Sequence, residues 1–458
     1  MRHETVWASK AGVPLDSDVE SGGGTDATDA LQAILDRAGA ERSLHLIVDG
    51  AALVRGLTVG SNTTVECPDS ACGFYLADGA DAPILRNREE DVYTVRQRNI
   101  QLIGGTYNHN CLHQAHSVPC PDNLFGQVLD HRRWVVALEF IGVENLTVRD
   151  LTIVDQRTFS FLLINWKNVT MENLTIPLPH RLQAENQDGI NIWGPGKNLI
   201  LRNIRGRSGD DFIAVTPDQL DSVSSIEDVL IDGVQLDGAD QGIRLLSRGR
   251  GRLDRVTVRN VSGTYRSFGF YINPWFPGEV CGNFGNILID NVCLAQEPPN
   301  YTYTPPMLFR LGGNIECITL SNIRHSCPRD GRDLIQIGIP YCEVPDPAAP
   351  RKNKEPEQKL ETVIIDGLTV TGDESDAEYI SIYAPVENLI LRNTAICNPH
   401  QREKGDLLVF HGNGGVKHLT VQNLYPPSGK PLCSDPAGSG NYMTKEPDPF
   451  AENGKIKG

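Results

Sequence analysis

The feature that most constrains this chain is a motif repeated eleven times: a polar residue, often Asn, apolar residues at alternating positions, Asn or Asp, then two or three more apolar residues. It reads RNIQLIGGTY (98–107), ENLTVRDLTI (144–153), KNVTMENLTI (167–176), KNLILRNIRG (197–206) and EDVLIDGVQL (227–236). It continues as DRVTVRNVSG (254–263), GNILIDNVCL (285–294), ECITLSNIRH (316–325), ETVIIDGLTV (361–370), ENLILRNTAI (387–396) and KHLTVQNLYP (417–426). Counted at the second residue of each copy, the steps from Asn145 are 23, 30, 30, 27, 31, 31, 45, 26 and 30 residues. A period of this size signals stacked units. Alternation with period two marks a strand with one buried face, and Val, Ile and Thr favour that state. The strands are too short and too close for intervening helices. The expected fold is therefore all-β, a right-handed parallel β-helix forming one domain over residues 1–458. A solenoid core grows along one axis, so a chain of this length does not have to divide.

Stacked side-chain amides of the repeated Asn are expected to bridge successive turns and satisfy backbone groups. That role explains the Asn-X-Ser/Thr triplets at Asn145, Asn168, Asn173 and Asn260 better than glycosylation does. An N-terminal capping helix is expected within about residues 20–40. Thr25 or Asp26 would be its N-cap, and Ala27, Ala30, Leu31, Ile34, Leu35 and Ala38 would form its apolar face. The tail from about 426 to 458 is rich in Gly, Pro and charge and reads as irregular. Two insertions, 108–134 and 340–358, read as loops bordering a binding face.

The net charge of -16 argues against a nucleic-acid partner, which would need a basic face. No stretch approaches the roughly 20 apolar residues of a membrane span, so no membrane partner is expected. The start MRHETVWASKAGVPL lacks the apolar core of a secretory leader. The eleven cysteines lack the short regular spacings of a disulfide framework. A cytoplasmic protein fits these observations, and a mature secreted chain would read the same.

The densest acidic signal is NQDGINIWGPGKNLILRNIRGRSGDDFIAV (186–215). Asp210 and Asp211 follow Asp188 by about one coil, so the three carboxylates stack on one patch, with neighbouring strands roughly 5 Å apart. Converging carboxylates push at least one pKa upward, which suits glycoside hydrolysis: one acid protonates the leaving oxygen and one base activates water. A calcium site or a solvated acidic turn is the alternative. No cofactor is expected.

These residues resemble family 28 of the glycoside hydrolases, the polygalacturonase family. Asn186-Gln187-Asp188-Gly189 is similar to its Asn-Thr-Asp-Gly motif, and Gly209-Asp210-Asp211-Phe212-Ile213-Ala214-Val215 to its Gly/Gln-Asp-Asp-Cys-Ile-Ala-Ile motif. GGGTDATDALQAILDRAG also resembles the family's usual start. The resemblance covers roughly residues 20–295. It implies a pectate-lyase-like solenoid, an inverting mechanism with Asp210 as general acid and Asp188 and Asp211 as base, and a carbohydrate substrate.

Two family motifs are altered. Gln241, in Asp240-Gln241-Gly242-Ile243-Arg244-Leu245, stands where the family has His. Tyr271 and Asn273 stand where the family's Arg and Lys grip a galacturonate carboxylate. These replacements, with Trp275 and Phe276 as a stacking surface, suit a neutral sugar. Strand parity turns Arg244 outward, which leaves open a uronate held from a shifted position. Asn186 and His180 complete the expected substrate contacts.

The metal-ligand residue types in His109-Asn110-Cys111-Leu112-His113-Gln114-Ala115-His116, closing with Cys120, sit at spacings that match no zinc pattern, and no metal is expected. They read as cleft-lining or exposed residues, as do His131, Arg132 and Arg133. A lyase or epimerase would need a basic residue on the coil of Tyr271, which lacks one. A non-catalytic carbohydrate-binding β-helix is the reading from outside enzymology.

Overall fold

The computed structural model describes residues 2–117, 134–182, 186–274, 280–298, 306–326, 333–339, 357–372, 378–397, 407–425, 433–434 and 442–444. All strand pairings given with their register are parallel, and the chain has the right-handed parallel β-helix fold. Its described residues pack as two compact units, one running to Ile231 without 221–224, the other comprising 221–224 and the residues from Asp232. No helix among the described residues is long and apolar enough to cross a membrane.

In the first unit, Leu138–Arg149 pairs with Phe161–Ile176, which pairs with Ile190–Gly206. Leu146 opposes Val169 and Val169 opposes Leu199, so the register steps of 23 and 30 are the sequence steps. Inward residues form apolar columns along the stack. Phe140 and Phe161, both fully buried, stack with centroids 5.5 Å apart.

The second unit repeats the scheme. Val256 opposes Ile287, Ile287 opposes Ile318, Ile318 opposes Val363, Val363 opposes Leu389 and Leu389 opposes Leu419. Phe270 and Phe309 stack at 4.8 Å.

The repeated asparagines do more than bridge turns. Asn145, Asn168 and Asn198 have φ of 57°, 55° and 61°. This left-handed conformation bends the strand, and Asn tolerates it better than most residues. Their amides form a ladder: Asn145 Nδ2 donates to Asn99 Oδ1 (3.0 Å), Asn168 to Asn145 (3.1 Å) and Asn198 to Asn168 (2.8 Å). In the second unit Asn260 donates to Asp232 and Asn291 to Asn260, each at 2.7 Å. Asn173 Nδ2 donates to Asp150 Oδ1 (2.7 Å), so the side-chain nitrogens of all four triplet asparagines are donors to an Asn or Asp side chain of the preceding coil.

Asn168→Ala is expected to cost about 2 kcal/mol, from left-handed strain of about 1–2 kcal/mol and lost hydrogen bonds of about 1 kcal/mol. Asn168→Gly should cost about half as much, since it removes the bonds without the strain. Urea midpoints compare the two, and equal losses would show that the bend is not what selects Asn.

The helix spans Thr28–Leu35, shorter than the window expected for it. Gly22, Gly23 and Gly24 all take positive φ, which keeps the preceding segment out of a helix. Asp26 Oδ1 accepts the Thr28 N–H (2.9 Å), while Thr25 Oγ1 is committed to Asp16. Leu31, Ile34 and Leu35 are buried; Ala30 is half-buried. A strand ahead of the helix, Arg2–Trp7, pairs with Arg42–Ile47. The tail expected to be irregular contains two short strands, Cys433–Ser434 and Tyr442–Thr444, which pair with Leu408–Phe410 and Gly415–Tyr425.

Candidate active site

In the first unit, strand Ile190–Gly206 starts two residues after Asp188, and strand Asp211–Thr216 starts at Asp211. The two are in register from Ile190 opposite Ile213 to Trp193 opposite Thr216. Just before that ladder, Gly209 N–H donates to Gln187 C=O (2.8 Å) and Gly189 N–H donates to Asp211 C=O (2.9 Å). These bonds bracket Asp188 and hold it beside the turn carrying Asp210 and Asp211. Asp188 and Asp211 are buried and Asp210 is half-buried. The turns that carry the three aspartates are therefore backbone neighbours.

Several supporting residues escaped the sequence reading. Trp193 Nε1 donates to Asn191 Oδ1 (2.6 Å), and Asn191 Nδ2 donates to Asp188 Oδ2 (2.6 Å), a chain that orients the Asp188 carboxylate. Only the alternation of INIW, which puts Asn191 on the Asp188 side of the strand, could have signalled it. Buried Gln187 donates to the carbonyls of Gln156 (2.9 Å) and His180 (3.1 Å) and accepts from Leu182 N–H (2.6 Å). It therefore ties the His180 loop to the turn that carries Asp188. Arg181 donates to Gly209 C=O (3.3 Å), next to Asp210. Asn186 is half-buried, and its carbonyl accepts the Asp188 N–H (3.1 Å). His180 is exposed on one side and bonds both Asp155 oxygens through Nδ1 (3.1 and 3.0 Å).

His109 does not line a cleft. It is fully buried, and its Nδ1 accepts the Arg157 N–H (3.0 Å), so Nε2–H donates to Ala82 C=O (3.2 Å). Burial pushes its pKa down to about 4, leaving a neutral ring that fixes the 109–111 turn. His131, Arg132, Arg133, Trp275, Phe276 and Cys120 lie outside the described residues.

In the second unit, Gln241, Arg244, Tyr271 and Asn273 are all buried. Ile243 and Leu245 have no exposure, as parity requires, and the Arg244 guanidinium lies over the Tyr271 ring at 5.2 Å. Arg310, in register with Tyr271, lies 5.4 Å from the same ring and donates to Tyr271 Oη (3.5 Å). Sequence reading missed Arg310, although the alternation in MLFRL places it in the column of Tyr271.

Residues 127–263, which contain the three aspartates, Gln241 and Arg244, match the family described as glycosyl hydrolases family 28. That segment is similar to family 28. A polygalacturonase of Brassica napus is 29% identical over 150 residues, covering 32% of this chain and 35% of the relative. An exopolygalacturonase of Arabidopsis thaliana is 27% identical over 164 residues, 35% of this chain and 34% of the relative. The matched stretch thus spans about a third of these relatives' length.

Among solved structures, the family 28 exopolygalacturonase of Yersinia enterocolitica superposes with a TM-score of 0.58 at 12% identity, covering 94% of this chain and 79% of that one. PfbA, a surface adhesin of Streptococcus pneumoniae, gives 0.52 at 11% identity, covering 92% and 89%. Identities this low speak to the fold alone. An enzyme and an adhesin share it, so function has to be argued from the site.

Proposed function

We propose that this chain hydrolyses a glycosidic bond of an oligo- or polysaccharide by an inverting mechanism based on aspartates. Asp210 is the general acid that protonates the leaving oxygen. Asp188 and Asp211 take the proton of the attacking water, with Asp188 aimed by Asn191. The observation that carries this reading is the pair of backbone bonds bracketing Asp188 beside Asp210 and Asp211, inside the segment similar to family 28.

The half-buried position of Asp210 leaves it within reach of a substrate, whereas the buried Asp188 is held by neighbours. Proton NMR of the first-formed product should show the anomer opposite to that of the bond cleaved. A trapped covalent glycosyl-enzyme would refute inversion, because a direct nucleophile retains configuration over two displacements.

The substrate is a sugar other than plain polygalacturonate. Desolvating a galacturonate carboxylate is costly without a paired cation, and Tyr271 and Asn273 stand where the family supplies two. A second reading is favoured by one observation: Arg244 and Arg310 both lie against the Tyr271 ring. On that reading the sugar carries a carboxylate and Arg244 grips it.

Initial rates on polygalacturonate and on neutral oligosaccharides, in wild type and Arg244→Ala, separate the two. The first reading expects polygalacturonate to be cleaved at least about 10-fold more slowly than the best neutral substrate, as loss of roughly one charge-assisted contact would give. Efficient polygalacturonate cleavage lost selectively in Arg244→Ala would establish the second.

A further inference from the structure

Outside the aspartate patch, the first unit gathers one thiol, one carboxylate and one imidazole at a single place. Cys111, Asp155 and His180 come from successive coils, yet their Sγ, carboxylate oxygen and ring nitrogen all lie within 4.8 Å of one another. Each is fixed by its backbone. Cys111 sits in a 3-10 turn after Asn110 (φ 52°), and its carbonyl accepts from Arg157 Nη1 (2.9 Å). Asp155 takes φ 53° directly after strand Thr152–Val154. The His180 carbonyl is held by Gln187 (3.1 Å), and its Nδ1 already lies 3.0 Å from Asp155 Oδ2. Cys111 Sγ lies 3.9 Å from that same carbonyl.

We propose that Cys111, Asp155 and His180 bind a divalent transition-metal ion of the Zn²⁺ type, with a fourth position open to solvent. The donor set is one thiolate, one imidazole nitrogen and one carboxylate oxygen, a mixture that borderline-soft Zn²⁺ accepts and that Ca²⁺ or Mg²⁺ does not favour. A tetrahedral ion about 2.0–2.3 Å from each donor separates the donor atoms by about 3.3–3.6 Å. The Asp155–His180 edge needs a few tenths of an ångström of opening, and Cys111 needs an approach of roughly 1 Å, available to a side-chain rotation.

Thiolate and carboxylate together neutralise a 2+ ion. Binding replaces the Cys111 S–H bond by S–metal, and the proton leaves to solvent. His180 is the exposed member of the three, so the open position faces water, as in sites with three protein ligands.

The test uses the whole protein, stripped with a chelator and titrated with Zn²⁺ or Co²⁺. One equivalent should bind, and the Co²⁺ form should show a thiolate-to-metal charge-transfer band in the near ultraviolet. Cys111→Ser should lose the band, and His180→Ala, at an exposed position, should bind at least about 100-fold more weakly. Absence of stoichiometric binding by wild type would overturn the proposal. So would a band retained in Cys111→Ser, or unchanged affinity in His180→Ala. The readout is independent of sugar hydrolysis, so its failure leaves the aspartate mechanism standing, and the reverse also holds.

Discussion

Asp210→Asn is expected to leave a folded protein whose turnover falls at least about 10²-fold, the contribution of a positioned general acid. The amide fills the same space and cannot deliver the proton. The backbone around Asp210 is held by groups other than its carboxylate: Ser208 Oγ donates to the Asp210 carbonyl (2.8 Å), and Gly209 is bonded to Gln187. The side chain is half-buried, so losing its charge uncovers no large cavity. Reducing-sugar release gives the rate, and circular dichroism with a melting curve shows whether the fold survives. A variant keeping more than about a tenth of wild-type turnover, on the substrate wild type cleaves best, would remove Asp210 from the acid role.

The second large effect comes from a residue with no chemistry of its own. A Cβ placed on Gly189 would lie 2.3 Å from the Phe212 carbonyl oxygen and 3.1 Å from its ring. The nearer obstacle is backbone, so Gly189→Ala must push the coil of Asp188 away from the coil of Asp211. Those coils are joined at this point by the Gly189–Asp211 bond.

Overpacking of this kind costs about 1–3 kcal/mol, and a displacement of about 1 Å among catalytic groups costs roughly 10²-fold in rate. We expect kcat to fall on that scale while the protein still folds. Gly39→Ala, where an added Cβ meets nothing within 4 Å, is the control and should change neither quantity appreciably. Near wild-type kcat in Gly189→Ala would mean that the spacing of these two coils does not set the alignment of the aspartates.

The strand stack was legible from the chain itself because a parallel ladder turns sequence period into register. The steps of 31, 45, 26 and 30 between Val256, Ile287, Ile318, Val363, Leu389 and Leu419, with 31 occurring twice, are both the repeat intervals and the pairing offsets. The neighbourhood of Asp188 with Asp210 and Asp211 followed from the same period, since all three flank strands one coil apart. What alternation leaves undetermined is backbone conformation at the bends. The left-handed φ of Asn168 and its relatives is a property of the turn, visible only once the ladder is built.

Tertiary structure alone decided which loop residues meet. Cys111, Asp155 and His180 are 44 and 25 residues apart, intervals without a common period, because they lie on turns of different length at the ends of their strands. Gln187 and Gln156 were hidden for a related reason: each donates to a carbonyl of another coil. Arg310 was hidden by its distance in sequence from Tyr271, although one coil of register brings the two together. A strand transmits its period down the stack because its residues are hydrogen-bonded alternately to the coil before it and the coil after it. A turn is constrained only at its two ends, so the side chains it presents to a site depend on the path between them.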